Sequence, residues 1–159
     1  MLEQQEINIS QVGIEFSDLL SQMHDISFDG LPEQSWSKDD FRKMLEITGT
    51  NAYVVDLHEQ PIGFILVREA VDEAEIITFC MLPKWCNNGY ATLLLEWLIR
   101  KLQQRCFNRL FLEVRENNEA AIRVYKKCSF KIVGRRTGYY KNHNKGNIDA
   151  LVMQVDIID

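Results

Sequence analysis

The stretch IITFCMLPKWCNNGYATLLLEWLIRKLQQRCFNRLFLEVRENNEAAIRVYKKCSF, residues 76–130, decides the fold. It runs from an apolar strand through Pro83-Lys84-Trp85 and the polar turn Cys86-Asn87-Asn88-Gly89-Tyr90-Ala91 into a leucine-rich helix. A second apolar strand follows, ending Leu112-Glu113-Val114-Arg115, and then a helix that carries Asn118 and Tyr125. A strand feeding a glycine turn that opens a helix creates an anion site, because the first N–H groups of a helix have no acceptor within it and point at whatever lies in front. Glu113 and Tyr125 flank that site with one carboxylate and one phenol.

Outward from this segment, Glu15 to Ser27 sets Phe16, Leu19, Leu20 and Met23 at helical spacing. Ser37-Lys38-Asp39-Asp40 ahead of Phe41, Met44 and Leu45 reads as a second helix with its N-cap. Phe28-Asp29-Gly30-Leu31-Pro32 between them reads as a loop. Ala52 to Leu57 and Ile62 to Val67 form a hairpin pattern around His58-Glu59-Gln60-Pro61, and Glu75 to Leu82 is a third strand stopped by Pro83. From Tyr90 to Gln104 the apolar residues Leu94, Leu95, Trp97, Leu98, Ile99 and Leu102 make too broad a face for a surface helix, which predicts packing against a sheet. Arg109 to Val114 is strand and Asn118 to Cys128 helix; Phe130 to Val133 and Ala150 to Ile157 close the sheet, joined by the polar segment Gly138 to Asn147. Two helices, three antiparallel strands, helix, strand, helix and two strands make an α/β fold with a mixed sheet. No repeat or composition shift marks a boundary, so residues 1–159 are expected to form one domain.

Composition narrows the partners. The chain is 46% hydrophobic and 26% charged, enough for one core. A net charge of −5 and the lack of any Lys/Arg run argue against direct nucleic-acid binding, while an acidic body can attract a basic segment. No apolar run approaches the roughly 18 residues needed to span a bilayer. Met1 to Ser10, with Glu3 and Glu6, has neither the basic start nor the apolar core of a signal peptide, so a cytoplasmic location without membrane attachment is expected. Cys80, Cys86, Cys106 and Cys128 show no C-x-x-C pairing and no His at ligand spacing, so neither a metal site nor a disulfide framework is expected. His24, His58 and His143 have no motif around them and are expected in solvated loops or on helix faces.

These residues resemble the GNAT N-acetyltransferase superfamily and, within it, the RimI-type ribosomal-protein-alanine N-acetyltransferases. The frame Cys86 to Ala91 is similar to the family's pyrophosphate motif, Gln/Arg-x-x-Gly-x-Gly/Ala. The similarity continues through Leu112-Glu113-Val114-Arg115, Asn117-Asn118 with Ala121-Ile122, Tyr125, Phe130, Arg136 with Tyr139-Tyr140, and Asp149-Ala150 with Met153. Ser35-Trp36-Ser37 and Asp72-Glu73-Ala74 are weaker echoes. The resemblance implies a mostly antiparallel mixed sheet flanked by helices, with acetyl-CoA in a cleft between splayed central strands. The acceptor it implies is a protein N-terminus, the alanine of the eighteenth small-subunit ribosomal protein. Acetylation of lysine or a small amine, and a non-catalytic acyl-CoA-binding interaction module, stay open as alternatives.

Acetyl transfer from a thioester needs a held diphosphate, a polarised carbonyl, a base for the acceptor amine and an acid for the leaving thiolate. For the diphosphate, the candidates are the backbone amides of Asn87, Asn88, Gly89, Tyr90, Ala91 and Thr92, Gly89 admitting close approach. For the carbonyl, the resemblance implies backbone contacts from Phe79, Cys80 and Met81. Glu113 is the candidate base, placed by strand alternation on the face opposite Leu112 and Val114, and partial burial would suit it to the task. Tyr125 is the candidate acid, and Asn118, seven residues earlier on the same helix face, can bond the pantetheine arm or cap the helix. Tyr139 and Tyr140, expected in the late loop, match family tyrosines at the acceptor site and could clamp a peptide.

Three departures carry expectations. Cys86 and Asn87 stand where the family usually has Gln or Arg and then Arg, so the phosphate loop has no cation of its own; weaker acetyl-CoA binding is expected unless Lys84, Arg123, Lys126 or Lys127 compensates. As a thiol at a helix start, Cys86 is expected to block the cofactor when alkylated. Ser129 replaces the usual glycine before Phe130, so the helix ends either with backbone strain or in another way.

Overall fold

The leucine face of the helix at Tyr90–Gln104 lies, as its breadth requires, against a sheet: Leu94, Leu95, Leu98 and Leu102 are fully buried. The computed structural model describes residues 6–31, 35–141 and 146–158. Met1 to Gln5, Pro32, His143 and the middle of the Gly138 to Asn147 segment lie outside the described residues.

In chain order the elements are β1 (Ile7–Val12), a 3-10 turn (Ile14–Phe16), α1 (Ser17–Ser27), α2 (Lys38–Glu46), β2 (Thr50–Leu57), β3 (Gln60–Ala70) and β4 (Glu73–Met81). A second 3-10 turn (Pro83–Trp85) leads to α3 (Tyr90–Gln104), β5 (Arg109–Arg115), α4 (Glu119–Lys127), β6 (Lys131–Tyr140) and β7 (Ile148–Asp156). The seven strands form one sheet in the order β1-β2-β3-β4-β5-β7-β6, antiparallel except for the β4–β5 pair. One core fills the space between the sheet and α3 with α4, centred on Leu94, Leu98, Ile65 and Leu112. A smaller one, built on Leu20, Phe41, Phe64 and Cys80, packs α1 and α2 on the other face. Among the described residues no helix is long and apolar enough to cross a membrane.

The N-cap read at Ser37 is a full capping box. Ser37 Oγ accepts from Asp40 N–H at 3.1 Å, and Asp40 Oδ2 accepts from Ser37 N–H at 2.9 Å, so two donors that the helix leaves orphaned are satisfied reciprocally. The β2–β3 turn is tighter than the sequence suggests. His58 (φ +48°) and Glu59 (φ +64°) alone form it, while Gln60 and Pro61 already belong to β3.

Two strands differ from expectation. β1 was not anticipated; it is an edge strand whose Asn8, Ser10 and Gln11 dilute its apolar alternation, and its pairing with β2, Ile9 opposite Val55, defines it. β6 extends to Tyr140, so Tyr139 and Tyr140 end a strand rather than lie in a loop. Its charged run, Arg135 and Arg136, is tolerated because β6 is the opposite edge and exposes most of its residues.

The feature that positions the site is a bulge in β4. Val67 of β3 pairs with Ile76 and Leu66 with Thr78, leaving Ile77 as the extra residue. Ile76 and Phe79 consequently share the α3/α4 face although they are three residues apart, while Cys80 turns to the α1/α2 core. At the same point β4 parts from β5. Their parallel pairing ends at Ile76 with Leu112, yet β4 runs on to Met81 and β5 to Arg115.

Candidate active site

The parted strands enclose a cleft of about 470 Å³ lined by residues from both faces of the sheet. Phe79, Asn118, Ala121 and Tyr125 line it from the α3/α4 side, and His24, Phe28, Trp36 and Glu113 from the α1/α2 side, with Tyr139 and Tyr140 at its β6 end. A shallower groove of about 310 Å³ continues from it along β3, β4 and β5, sharing Arg68, Glu75, Leu112 and Glu113. Six of the residues singled out from sequence, Phe79, Glu113, Asn118, Tyr125, Tyr139 and Tyr140, thus meet around one space. Beyond Ile76, β4 pairs with β3 alone, and of the three residues singled out on it Phe79 lines the cleft while Cys80 and Met81 do not. The Cys80 side chain takes no part. It is buried on the α1/α2 side, where loss of solvent pushes its thiol up to about 12.

Glu113 occupies the face opposite Leu112 and Val114, as strand alternation requires, because those two are buried in the α3/α4 core. Its carboxylate is half-buried and ion-paired: Arg136 Nη1 donates to Oε1 at 2.8 Å. The Arg136 guanidinium lies 4.0 Å over the Tyr139 ring, and Tyr139 meets Tyr140 edge-on at 5.0 Å. Arg135 fastens this hairpin to the β5–α4 turn, donating to Glu116 Oε2 at 2.6 Å and to Asp149 Oδ2 at 2.8 Å. Asp149 Oδ1 also accepts from Gly138 N–H at 2.8 Å. Arg135, and then the Gly138 N–H, hold the Asp149 carboxyl below the usual carboxylate range. Sequence reasoning quoted Arg136 and Asp149 only as family matches, and a contact between Arg136 and Glu113, 23 residues apart, has no local signal.

Tyr125 is buried on α4, its ring 6.4 Å from Phe79 and 5.7 Å from Phe130. Burial, with smaller effects from Cys80 and Tyr140, pushes its phenol well above the ordinary tyrosine range, so it stays protonated as a donor. Asn118 is the N-cap of α4, its Oδ1 accepting from Ala121 N–H at 3.2 Å. That bond uses only the oxygen and leaves the side-chain N–H groups to donate. Beyond the Cys128 C-cap, Ser129 takes φ +70°, so of the two endings left open the helix takes the strained one.

At α3 the N-cap is Gly89, φ +82°, preceded by Asn87 at φ +62°. A Cβ at Gly89 would meet nothing within 4 Å, so backbone conformation rather than crowding calls for glycine, and the approach to the helix end is open. The helical ladder begins with Leu93 N–H to Gly89 C=O, at 3.0 Å, so the amides of Ala91 and Thr92 precede the first intrahelical bond. This turn does not itself line the cleft. Cys86 is not at the helix start: it caps the Pro83–Trp85 turn, its exposed thiol 3.6 Å from each of the Met81 and Leu82 carbonyl oxygens. The Lys84 ammonium lies 5.0 Å from the Trp85 ring centre, and Trp85 meets Tyr90 edge-on at 6.0 Å, which brings one cation near the turn.

His24 departs from its expected solvated position. It is buried against Phe28 (4.3 Å, stacked), Trp36 (5.6 Å, stacked) and Phe41 (5.7 Å, edge-on), and its Nδ1 accepts from Trp36 N–H at 3.4 Å. Burial lowers its pKa, with Asp25 opposing. The four-residue spacing to Phe28 was a local signal for the first contact; Trp36 and Phe41 arrive through tertiary packing. His58 is exposed in the β2–β3 turn. Among the described residues no group of three or more His, Cys, Asp or Glu side chains is arranged to hold a metal ion.

Comparisons with known proteins agree with this geometry. The family described as "Acetyltransferase (GNAT) family" matches residues 19–130. The [ribosomal protein bS18]-alanine N-acetyltransferase of Haemophilus influenzae is 36% identical over 96 residues, 60% of this chain and 65% of that protein. Its counterpart from Escherichia coli K12 is 34% identical over 95 residues, 60% of this chain and 64% of that protein. The chain therefore spans just under two thirds of these relatives. The crystal structure of the ribosomal-protein-S18-alanine N-acetyltransferase from Escherichia coli shares the fold, with a TM-score of 0.87 at 24% identity, covering 97% of this chain and 96% of that one. The family match takes in β4, β5 and the glycine turn between them, the part of the sequence that builds the cleft, and the chain belongs to the acetyltransferase (GNAT) family.

Proposed function

We propose that this chain transfers an acetyl group from acetyl-CoA to the N-terminal α-amine of a protein, the acceptor being the N-terminal alanine of the eighteenth small-subunit ribosomal protein. The observation that carries the reading is the cleft through the sheet, with Tyr125 on its α3/α4 side and Glu113 on its α1/α2 side. The names of the Haemophilus influenzae and Escherichia coli relatives support the acceptor. A ribosomal acceptor puts the reaction in the cytoplasm.

The residues present fit a coenzyme thioester. Open space before the Gly89 N-cap suits a diphosphate, held by the amides of Asn87 to Thr92 at the positive end of a 15-residue helix. The β4 edge beyond Ile76, which faces no strand, suits the extended pantetheine arm and carbonyl at Phe79, Cys80 and Met81, and the Asn118 amide can donate to the arm. Acetyl-CoA supplies the activated acyl group when bound.

From the opposite face, Glu113 receives the acceptor's proton, through a water where the carboxylate does not reach the amine directly. Tyr125, kept protonated by burial, donates toward the departing sulfur. Tyr139 and Tyr140 flank the acceptor backbone. An α-amine has a reference pKa of about 7.7–8.0, so roughly a tenth is neutral near pH 7, against well under a thousandth of a lysine near 10.4. A carboxylate base is adequate for the former.

Incubation with acetyl-CoA and a peptide beginning Ala-Arg-Tyr, followed by mass spectrometric localisation, is expected to place one acetyl on the α-amine. Acetyl on lysine side chains instead, or coenzyme binding with no transfer, overturns the proposal.

A further inference from the structure

The mechanism above leaves the buried His24 of the cleft unused, and it stands on the side from which the acceptor arrives. With the thioester on the α3/α4 face, an amine reaches Glu113 from the α1/α2 face, past a wall formed by His24, Phe28 and Trp36. His24 is 3% exposed and stacked on two aromatic rings. Its Nδ1 accepts the Trp36 N–H, which leaves the proton of the neutral ring on Nε2. Among the described residues no acceptor is hydrogen-bonded to that Nε2–H. His24 lines the cleft, so a hydrogen-bond partner delivered by the ligand can meet that donor.

The geometry points to His24 as an acceptor-positioning residue, its Nε2–H donating to the backbone carbonyl that follows the reactive amine of a peptide. The inference rests on the proposed acetyl transfer and deepens it by naming a chemical class of acceptor. A peptide end carries carbonyl oxygens one residue from its amine. A protonated polyamine offers only donors and leaves Nε2–H unsatisfied. Burial keeps the imidazole neutral, so no second cation confronts an arriving ammonium.

The test varies peptide and acetyl-CoA separately in steady-state kinetics of the full chain. His24→Phe keeps a ring and removes the donor; His24→Gln restores an N–H near the Nε2 position. His24→Phe is expected to raise the KM for an Ala-Arg-Tyr peptide about tenfold, the scale of one neutral hydrogen bond, with kcat within about twofold and the KM for acetyl-CoA unchanged. His24→Gln is expected to recover most of that loss, and spermidine to be a poor acceptor for the wild type. An unchanged peptide KM in His24→Phe, an equal rise for both substrates, His24→Gln no better than His24→Phe, or efficient spermidine turnover overturns the assignment.

Should His24→Phe not fold, side-chain ¹H–¹⁵N spectra of the wild-type protein with CoA decide the point. Adding the peptide should move the His24 Nε2–H resonance, and a resonance that stays in place overturns the assignment. Wild-type protein that never acetylates the peptide defeats the acetyl-transfer reading, and the spectra still decide His24. Wild-type turnover with an indifferent His24→Phe defeats His24 alone.

Discussion

Replacing Ser129 with glycine should stabilise the protein without changing its chemistry. Ser129 follows the C-cap of α4 with φ +70°. Its N–H donates to Lys126 C=O, and Phe130 N–H reaches back to Tyr125 C=O, each at 3.0 Å. This is the paired closing pattern of a Schellman motif, with the ring contact between Tyr125 and Phe130 as its apolar clasp. An L-residue in the left-handed region costs about 1–2 kcal/mol. Glycine removes that cost but gives back about 0.5–1 kcal/mol through the greater freedom of its unfolded chain. Because Ser129 is exposed, its truncation leaves no cavity. The net expectation is roughly 0.5–1 kcal/mol of added stability, or about 1–4 °C in Tm for a chain of this size. Urea denaturation of wild type, Ser129→Gly and Ser129→Ala measures it. Alanine retains a Cβ, so its midpoint should stay near wild type while glycine's rises. Equal midpoints for glycine and alanine, or a fall with glycine, refute the reasoning; kcat should match wild type in Ser129→Gly because Tyr125 keeps its clasp.

Glu113→Gln and Tyr125→Phe should each slow turnover about 10²-fold or more with unchanged circular dichroism, the range for losing one general base or acid. Asn87→Arg adds a cation to the phosphate turn, and calorimetry should show tighter acetyl-CoA binding by severalfold; no gain refutes the expectation that the missing cation weakens binding. His24 has a folded pKa below its unfolded one, so the unfolded chain binds the extra proton. Its influence is absent above the unfolded value of about 6.5, and stability falls as pH drops from there toward the folded value. Urea midpoints at about pH 8 and pH 5.5 should therefore differ more for wild type than for His24→Phe.

Much of this was legible in local pattern. Glu113 is placed on its face by alternation alone, and the breadth of the α3 apolar stripe announces its docking on a sheet, whereas the serine at 129 leaves open how α4 ends. What was hidden depends on partners distant in sequence. β1 carries too few apolar residues to announce itself and exists through its pairing with β2. The strand read at Phe130 to Val133 stops short of Arg135 and Arg136, charged residues that an edge position admits. The parting of β4 from β5 follows from a register shift opposite Leu66 and Val67, which no single strand encodes. His24 looked solvated because the rings that bury it, apart from Phe28, come from the segment leading into α2 and from α2 itself.

The opening between β4 and β5 has a kinetic corollary for the proposed reaction. The lining of the cleft comes from both faces of the sheet, so in the proposed reaction donor and acceptor need not share one approach. Initial-rate kinetics should then show a ternary complex that either substrate can enter first, a freedom that a shared approach would deny.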